Sequence, residues 1–228
     1  MPEAGAPLIS VVVPAYNAAA FLEEALSSVA AQRYEPIEVI VVDDGSTDGT
    51  SEAARSFQPP VRLIAQPHAG PGAARNAGVA AARGEYLAFL DADDLWTPSS
   101  LALRLNALEQ RAADLVYGQV IEFRAAAGGR VVENPPATAL LAGTALLRAS
   151  AFHRVGWFRT DLRLGEFIDW CARAHETGLR MDALAQPVLR RRIHGSNTGI
   201  REHAARTDYV QVVRAALERR RREEKAGA

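Results

Sequence analysis

What most constrains this chain is a rhythm in its first half. Short apolar, β-branched runs alternate with segments of helical period, and each run stops at a polar cluster. "LISVVVPAY" (8–16) precedes a pattern in which Phe21, Leu22, Ala25, Leu26, Val29 and Ala30 share one helical face. "IEVIVVDD" (37–44) precedes a short helix ending near Phe57, and "VRLIAQ" (61–66) precedes a helix over 73–82. "EYLAFLDAD" (85–93) closes the series. Such alternation predicts a mainly parallel sheet with right-handed crossovers. Pro14, with no N–H to donate, predicts that the first strand ends near Val13. Asn17 is the expected cap of the first helix, Gly84 the expected end of the third, and Thr97-Pro98 the expected start of the fourth, whose apolar face is Leu101, Leu105 and Leu108.

From Asp114 the rhythm changes. "DLVYGQVIEF" (114–123) and "GRVVEN" (129–134) flank the turn region "AAAGG" and predict antiparallel pairing. A strand and short helix over 143–158, a helix from about 166 to 177 stopped by Gly178, strands near 180–193 and a charged helix from about 201 follow. The expected fold class is α/β, a mainly parallel central sheet flanked by helices with a smaller mixed or antiparallel subregion. Residues 1–113 form one half of the domain, 114–200 the other half, and 201–228 the terminal charged helix.

Composition enters as a set of exclusions. A net charge of −1 over 228 residues argues against a nucleic-acid partner, although the run Arg219 to Arg222 leaves peripheral contact with an anionic membrane open. The single Cys171 forms no internal disulfide and reads as a small buried hydrophobe, which fits a reducing compartment. With neither a signal-peptide pattern nor a run of about 18 apolar residues, the expected location is cytoplasmic, with membrane-peripheral association as the variant.

Chemistry is expected beyond the carboxyl ends of the strands, where loops converge. Pro14-Ala15-Tyr16, Asp43-Asp44-Gly45-Ser46, His68-Ala69-Gly70 and Asp91-Ala92-Asp93 occupy these ends. "DDGSTDGTSE" resembles a calcium loop, but with Asp44 at its first position the twelfth is Arg55 where a glutamate is required. Asp44 is left as a ligand candidate. The glycine-rich fingerprints of dinucleotide and P-loop sites are missing, so a bound diphosphate would need a divalent cation held by carboxylates. Asp91 and Asp93 lie two apart and would point the same way on an extended segment, while Asp94 belongs to the next turn.

Together "SVVVPAYN" (10–17), "VIVVDDGSTDGT" (39–50), "GPGAARNAG" (70–78) and "GEYLAFLDADD" (84–94) resemble the family 2 nucleotide-sugar glycosyltransferases, which have the GT-A fold. "GEFIDW" (165–170) and "RRRIHGSN" (190–197) add weaker matches. The resemblance implies a nucleotide site made by Pro14, Ala15, Tyr16, Asp44, Gly70, Arg75, Asp91 and Ala92. It also implies Mg2+ or Mn2+ held by Asp93 and His194.

What it implies for function is an inverting, metal-dependent transfer of sugar from a nucleoside-diphosphate sugar, UDP- or dTDP-linked by preference, to the hydroxyl of an unidentified acceptor. Relatives often take the base from a Glu-Asp pair at a helix start; here the second position is Phe167. Asp169 is then the expected catalytic base and Glu166 its rival, three residues apart on one helical face. Trp170 is expected to pack. Two other functions fit less of the sequence. A nucleotidyltransferase would want a glycine-rich basic loop where "PAYNAAAF" stands, and a non-catalytic sugar-nucleotide-binding or scaffold protein would explain Phe167.

Overall fold

The structure is a computed structural model and describes residues 5–126, 130–195 and 206–226. Its first strands and helices follow the expected alternation: β1 (Ile9–Ala15), α1 (Leu22–Ala30), β2 (Ile37–Asp43), α2 (Thr50–Ser56), β3 (Arg62–Ala65), α3 (Pro71–Ala81) and β4 (Tyr86–Phe89). Then come β5 (Leu95–Trp96), α4 (Ser100–Gln110), β6 (Leu115–Ala125), β7 (Val131–Glu133) and β8 (Ala137–Thr138). The remainder is β9 (Ala145–Arg148), α5 (Ala149–Val155), α6 (Glu166–Glu176), β10 (Met181–Arg192) and α7 (Arg206–Ala226).

Among the described residues the strands form one sheet in the order β3-β2-β1-β4-β9-β6-β10-β5, with β7 and β8 attached to β6. The strands β1 to β4 are mutually parallel, whereas β9 pairs antiparallel with both β4 and β6. Successive strands step outward from β1 to β3, then β4 returns to the other side of β1. That reversal is the switch point at which α/β sheets open a crevice.

Helices cover both faces, which is why β1 is apolar apart from Ser10, whose hydroxyl donates to Glu38 at 2.6 Å. Val11 and Val13 join α1, α2 and α4 in one core cluster, and Val12 joins α3, α5 and α6 in the other. Phe167 and Trp170 stack at 6.2 Å within the second cluster, with Phe158 and Phe89 beside them, so Trp170 packs as expected. Cys171 is buried there, and burial pushes its thiol far above the ordinary range.

Four local expectations change. The strand β1 runs through Pro14 to Ala15, because Pro14 faces the β4 side, where pairing has already ended at Phe89 and no ladder N–H is required. Asn17 does not cap α1: its amide oxygen accepts the Thr47 N–H at 2.8 Å, and the helix begins four residues beyond Ala18. Gly84 does not end α3, which stops at Ala81; a side chain at Gly84 would lie 2.6 Å from the Ser10 nitrogen. The turn at Thr97-Pro98 precedes α4, which starts at Ser100, and the segment before it pairs with β10 as β5. The later expectations stand: β6 and β7 pair antiparallel, and Gly178, with φ of 72°, follows α6. Residues 127–129 and 201–205 lie outside the described residues.

Candidate active site

The site is assembled at the carboxyl ends of β1, β2 and β4, with the start of α6 brought against them. Asp43, at the end of β2, accepts the Ser46 N–H at 2.9 Å and the Ser51 hydroxyl, which shapes the β2–α2 turn. Burial alone would raise its carboxyl, but these hydrogen bonds hold it below the usual range. Asp44 is buried, and its carboxylate is engaged: it accepts Gln66 Nε2 at 2.7 Å and the backbone N–H groups of Ala69 and Gly70, each at 2.9 Å. The expected ligand group is therefore also the anchor of the β3–α3 loop.

Two aromatic rings complete that corner. Tyr16, 44% exposed, stacks on His68 with ring centroids 4.1 Å apart, and His68 Nδ1 lies 2.9 Å from Asp44. Pro14 is half-buried and Ala15 buried, and the Ala15 carbonyl accepts the Asp44 N–H at 2.8 Å, so β1 meets this corner through its backbone. Gly70 has φ of 90°, a conformation that suits glycine, and it hands the chain to Pro71 at the first turn of α3.

That start places Arg75, one turn on, inside the protein. Its guanidinium is buried and bridges two carboxylates, Glu166 through Nη1 and Asp91 through Nη2 at 2.5 Å. This contact joins residues far apart in the chain, and the sequence carried no signal for it. Burial alone would lower the Arg75 guanidinium, but Asp91 and Glu166 hold it above its ordinary value. Burial also pushes the Glu166 carboxyl up, against the pull of Arg75. For a pair in direct contact the doubly charged form prevails, because a neutral Glu166 would leave a buried guanidinium with only a half-exposed partner.

Asp91, Asp93 and Asp94 do not lie on an extended segment. The strand stops at Phe89, and the Asp94 N–H donates to the Asp91 carbonyl at 3.0 Å, closing a turn. Ala92 is buried in the core, so it can meet a ligand only through its backbone. Asp93 Oδ2 lies 2.9 Å from His194 Nε2, and the His194 ring packs on Phe21. Asp94 is buried and accepts the Arg192 N–H at 2.9 Å, tying the turn to β10. Burial, then the neighbouring Asp91, raises the Asp93 carboxyl; burial, then Asp93 and Asp91, raises Asp94 well above the carboxylate range.

Asp93 and His194 fit one divalent cation as a carboxylate and an imidazole facing one another. Among the described residues no group of three or more His, Cys, Asp or Glu gathers into a metal centre. Such a pair suits an ion that takes its other ligands from diphosphate and water. Ser196 and Asn197, the last residues of the motif containing His194, lie outside the described residues.

The two candidate bases, Asp169 and Glu166, are both buried but stand in different surroundings. Asp169 has 0% exposure and is enclosed by arginines: Arg173 Nε at 2.9 Å, Arg219 Nη1 at 3.7 Å and Arg159 Nη1 at 4.0 Å. It lies one turn along α6 from Glu166, and its charge is taken up by this cage of arginines. Glu166, not Asp169, meets the Arg75–Asp91 pair. Phe167, at the position where the resemblance would put an aspartate, belongs to the aromatic core.

Known proteins share this fold. Residues 10–164 match the model of the family described as Glycosyl transferase family 2. An uncharacterized glycosyltransferase of Nostoc sp. is 46% identical over 97 residues, which is 41% of this chain and 30% of that protein. The glycosyltransferase GlyG of Streptococcus pneumoniae serotype 4 is 37% identical over 120 residues, 51% of this chain and 40% of GlyG. The chain thus spans well under half the length of these relatives. Among solved structures, Staphylococcus aureus TarS 1–349 in complex with UDP-GlcNAc superposes with a TM-score of 0.70 at 23% identity, over 83% of this chain and 60% of that one. The mannosyltransferase PcManGT of Pyrobaculum calidifontis, in complex with GDP-Man and Mn2+, gives a TM-score of 0.70 at 22% identity, over 96% and 66%. These neighbours share the GT-A architecture, and with more than half of its length matched by the family model, the chain belongs to glycosyl transferase family 2.

Proposed function

We propose that this chain transfers a sugar from a nucleoside-diphosphate sugar to an acceptor hydroxyl in one inverting displacement. The observation that carries the reading is the Glu166–Arg75–Asp91 bridge, which ties a carboxylate at the start of α6 to the acidic turn after β4. In this reading Tyr16 and Asp44 receive the base, Asp91 and the backbone at Ala92 meet the ribose and diphosphate, and Gly70 and Arg75 fix the loop and turn around them. Neighbours named for UDP-GlcNAc and for GDP-Man differ in base, so they support the donor class and leave uridine or thymidine as our preference.

Glu166 takes the acceptor proton as the hydroxyl oxygen attacks the anomeric carbon, and the bond from that carbon to the diphosphate breaks on the opposite face. A single displacement inverts the configuration. Arg75 holds the carboxylate in place and charged. Asp93 and His194 would hold Mg2+ or Mn2+, which when bound supplies Lewis-acid stabilisation of the leaving diphosphate.

The test is product formation from UDP- and dTDP-sugars with Mn2+, followed by mass spectrometry on wild type, Glu166→Gln and Asp169→Asn. Glu166→Gln is expected to stay folded and lose about a hundredfold or more in rate. A Glu166→Gln enzyme that turns over at the wild-type rate would remove Glu166 from the chemistry. Donor binding without any turnover in wild type would favour a sugar-nucleotide-binding protein, the reading that the core position of Phe167 supports.

A further inference from the structure

The terminal helix α7 has two unlike faces. Its inner face is fixed to the domain: Asp208 accepts the N–H groups of Arg163 and Leu164 at 2.8 and 3.2 Å, Val212 is buried, and Arg219 pairs with Glu176 and approaches Asp169. The run of arginines that suggested anionic contact is therefore partly structural, since its first member is turned inward. On the opposite face Val210, Val213 and Leu217 are 51%, 58% and 49% exposed. Their spacing of three and four residues places them in one stripe, and Tyr209 extends its margin at 42% exposure.

We propose that this stripe docks α7 on the surface of an anionic lipid bilayer. Charge selects the occupant. Arg214 and Arg221, both exposed and seven residues apart, run along the same edge of the stripe, with Glu218 further round the helix. A second copy packed antiparallel on the stripe would bring that arginine edge against its own equivalent, whereas anionic headgroups meet both arginines while the valines and Leu217 enter the acyl boundary. The helix lies on the bilayer and does not cross it, as no helix among the described residues is long and apolar enough to span a membrane. Because Asp208 holds the loop that leads into Glu166, docking would set the start of α6 at a fixed position relative to the surface. The inference stands whether or not the chain transfers a sugar.

The test is flotation of the full chain with vesicles of phosphatidylcholine alone and of phosphatidylcholine mixed with phosphatidylglycerol, at low and high salt. Wild type is expected to float with the anionic vesicles only, and high salt should release it. The exposed pair Val213→Ser with Leu217→Ser, and separately Arg214→Gln with Arg221→Gln, should each weaken flotation by about tenfold while circular dichroism is unchanged. Failure of wild type to float with anionic vesicles, or flotation that neither pair changes, overturns the proposal. So does size-exclusion chromatography showing a dimer that Val213→Ser with Leu217→Ser dissolves, since the stripe would then be covered by a second copy.

Discussion

Individual carboxylates of similar sequence context meet very different surroundings in the folded chain. Glu166 and Asp169 stand three positions apart on α6 and have opposite surroundings, one beside the acidic turn and the other in a cage of arginines. Removing the Asp169 charge leaves Arg173, Arg219 and Arg159 facing an uncharged group. Asp169→Asn is therefore expected to cost about 2–4 kcal/mol of stability in urea unfolding, with any remaining folded protein keeping its donor affinity. Arg75→Met should be worse for both properties, because it strands the buried Glu166 carboxylate and frees Asp91. A loss of about 3 kcal/mol or more together with lost donor binding is the expected result. Sequence reasoning could rank the carboxylates only by spacing. Phe167 was legible as a departure, but that Arg75 reaches across to Glu166 depends on how α3 and α6 meet, which no local pattern encodes.

Helices and strands were easier to read than their ends. The period of α1 identified Leu22, Ala25, Leu26 and Val29 as buried, while Ala30 of the same expected face is exposed. Asn17 and Thr97 looked like caps because their side chains accept N–H groups readily, but tertiary partners use them. Asn17 serves the β2–α2 turn, and the Thr97 hydroxyl donates to the Pro187 carbonyl at 2.9 Å. The two-residue strand β5 could not be foreseen, since its pairing is set by β10, far away in the chain.

The β2–α2 turn carries a pH dependence. Asp43 and Asp48 are both held below the ordinary carboxyl range by hydrogen bonds that outweigh burial, from Ser46 and Ser51 to the first and from Thr50 and Ala19 to the second. A carboxyl depressed in the folded state gives stability that is present above its unfolded value, near pH 4, and is lost as pH falls through the folded value. The stability that Asp43 and Asp48 contribute is thus expected to fall as pH drops below about 4. The difference in unfolding free energy between wild type and Asp43→Asn at each pH separates it from the raised Asp93, Asp94 and Glu166, which act with the opposite sign. Where α3 meets the segment before α6, a Cβ at Gly72 would sit 2.2 Å from the Arg159 carbonyl oxygen. Gly72→Ala is expected to destabilise by about 1–3 kcal/mol and to weaken transfer by displacing α6, as unfolding and rate measurements on one preparation would reveal.

For the whole molecule, the parallel half could be anticipated almost entirely, because alternating strands and helices leave few topologies. The later half could be anticipated only as antiparallel pairing, and its insertion into the same sheet through β9 between β4 and β6 could not. That insertion is what brings β10, and with it His194, against the turn that bears Asp93. In the proposed function this junction binds a nucleoside diphosphate and a divalent cation together. Isothermal titration of UDP, dTDP and GDP into wild type and Asp93→Ala, with and without Mn2+, tests it most directly. Mn2+ is expected to strengthen binding of one nucleotide to wild type by about tenfold or more, and Asp93→Ala to abolish this gain while retaining the weaker metal-free binding. Equal affinity with and without metal, or a full metal effect in Asp93→Ala, would contradict it.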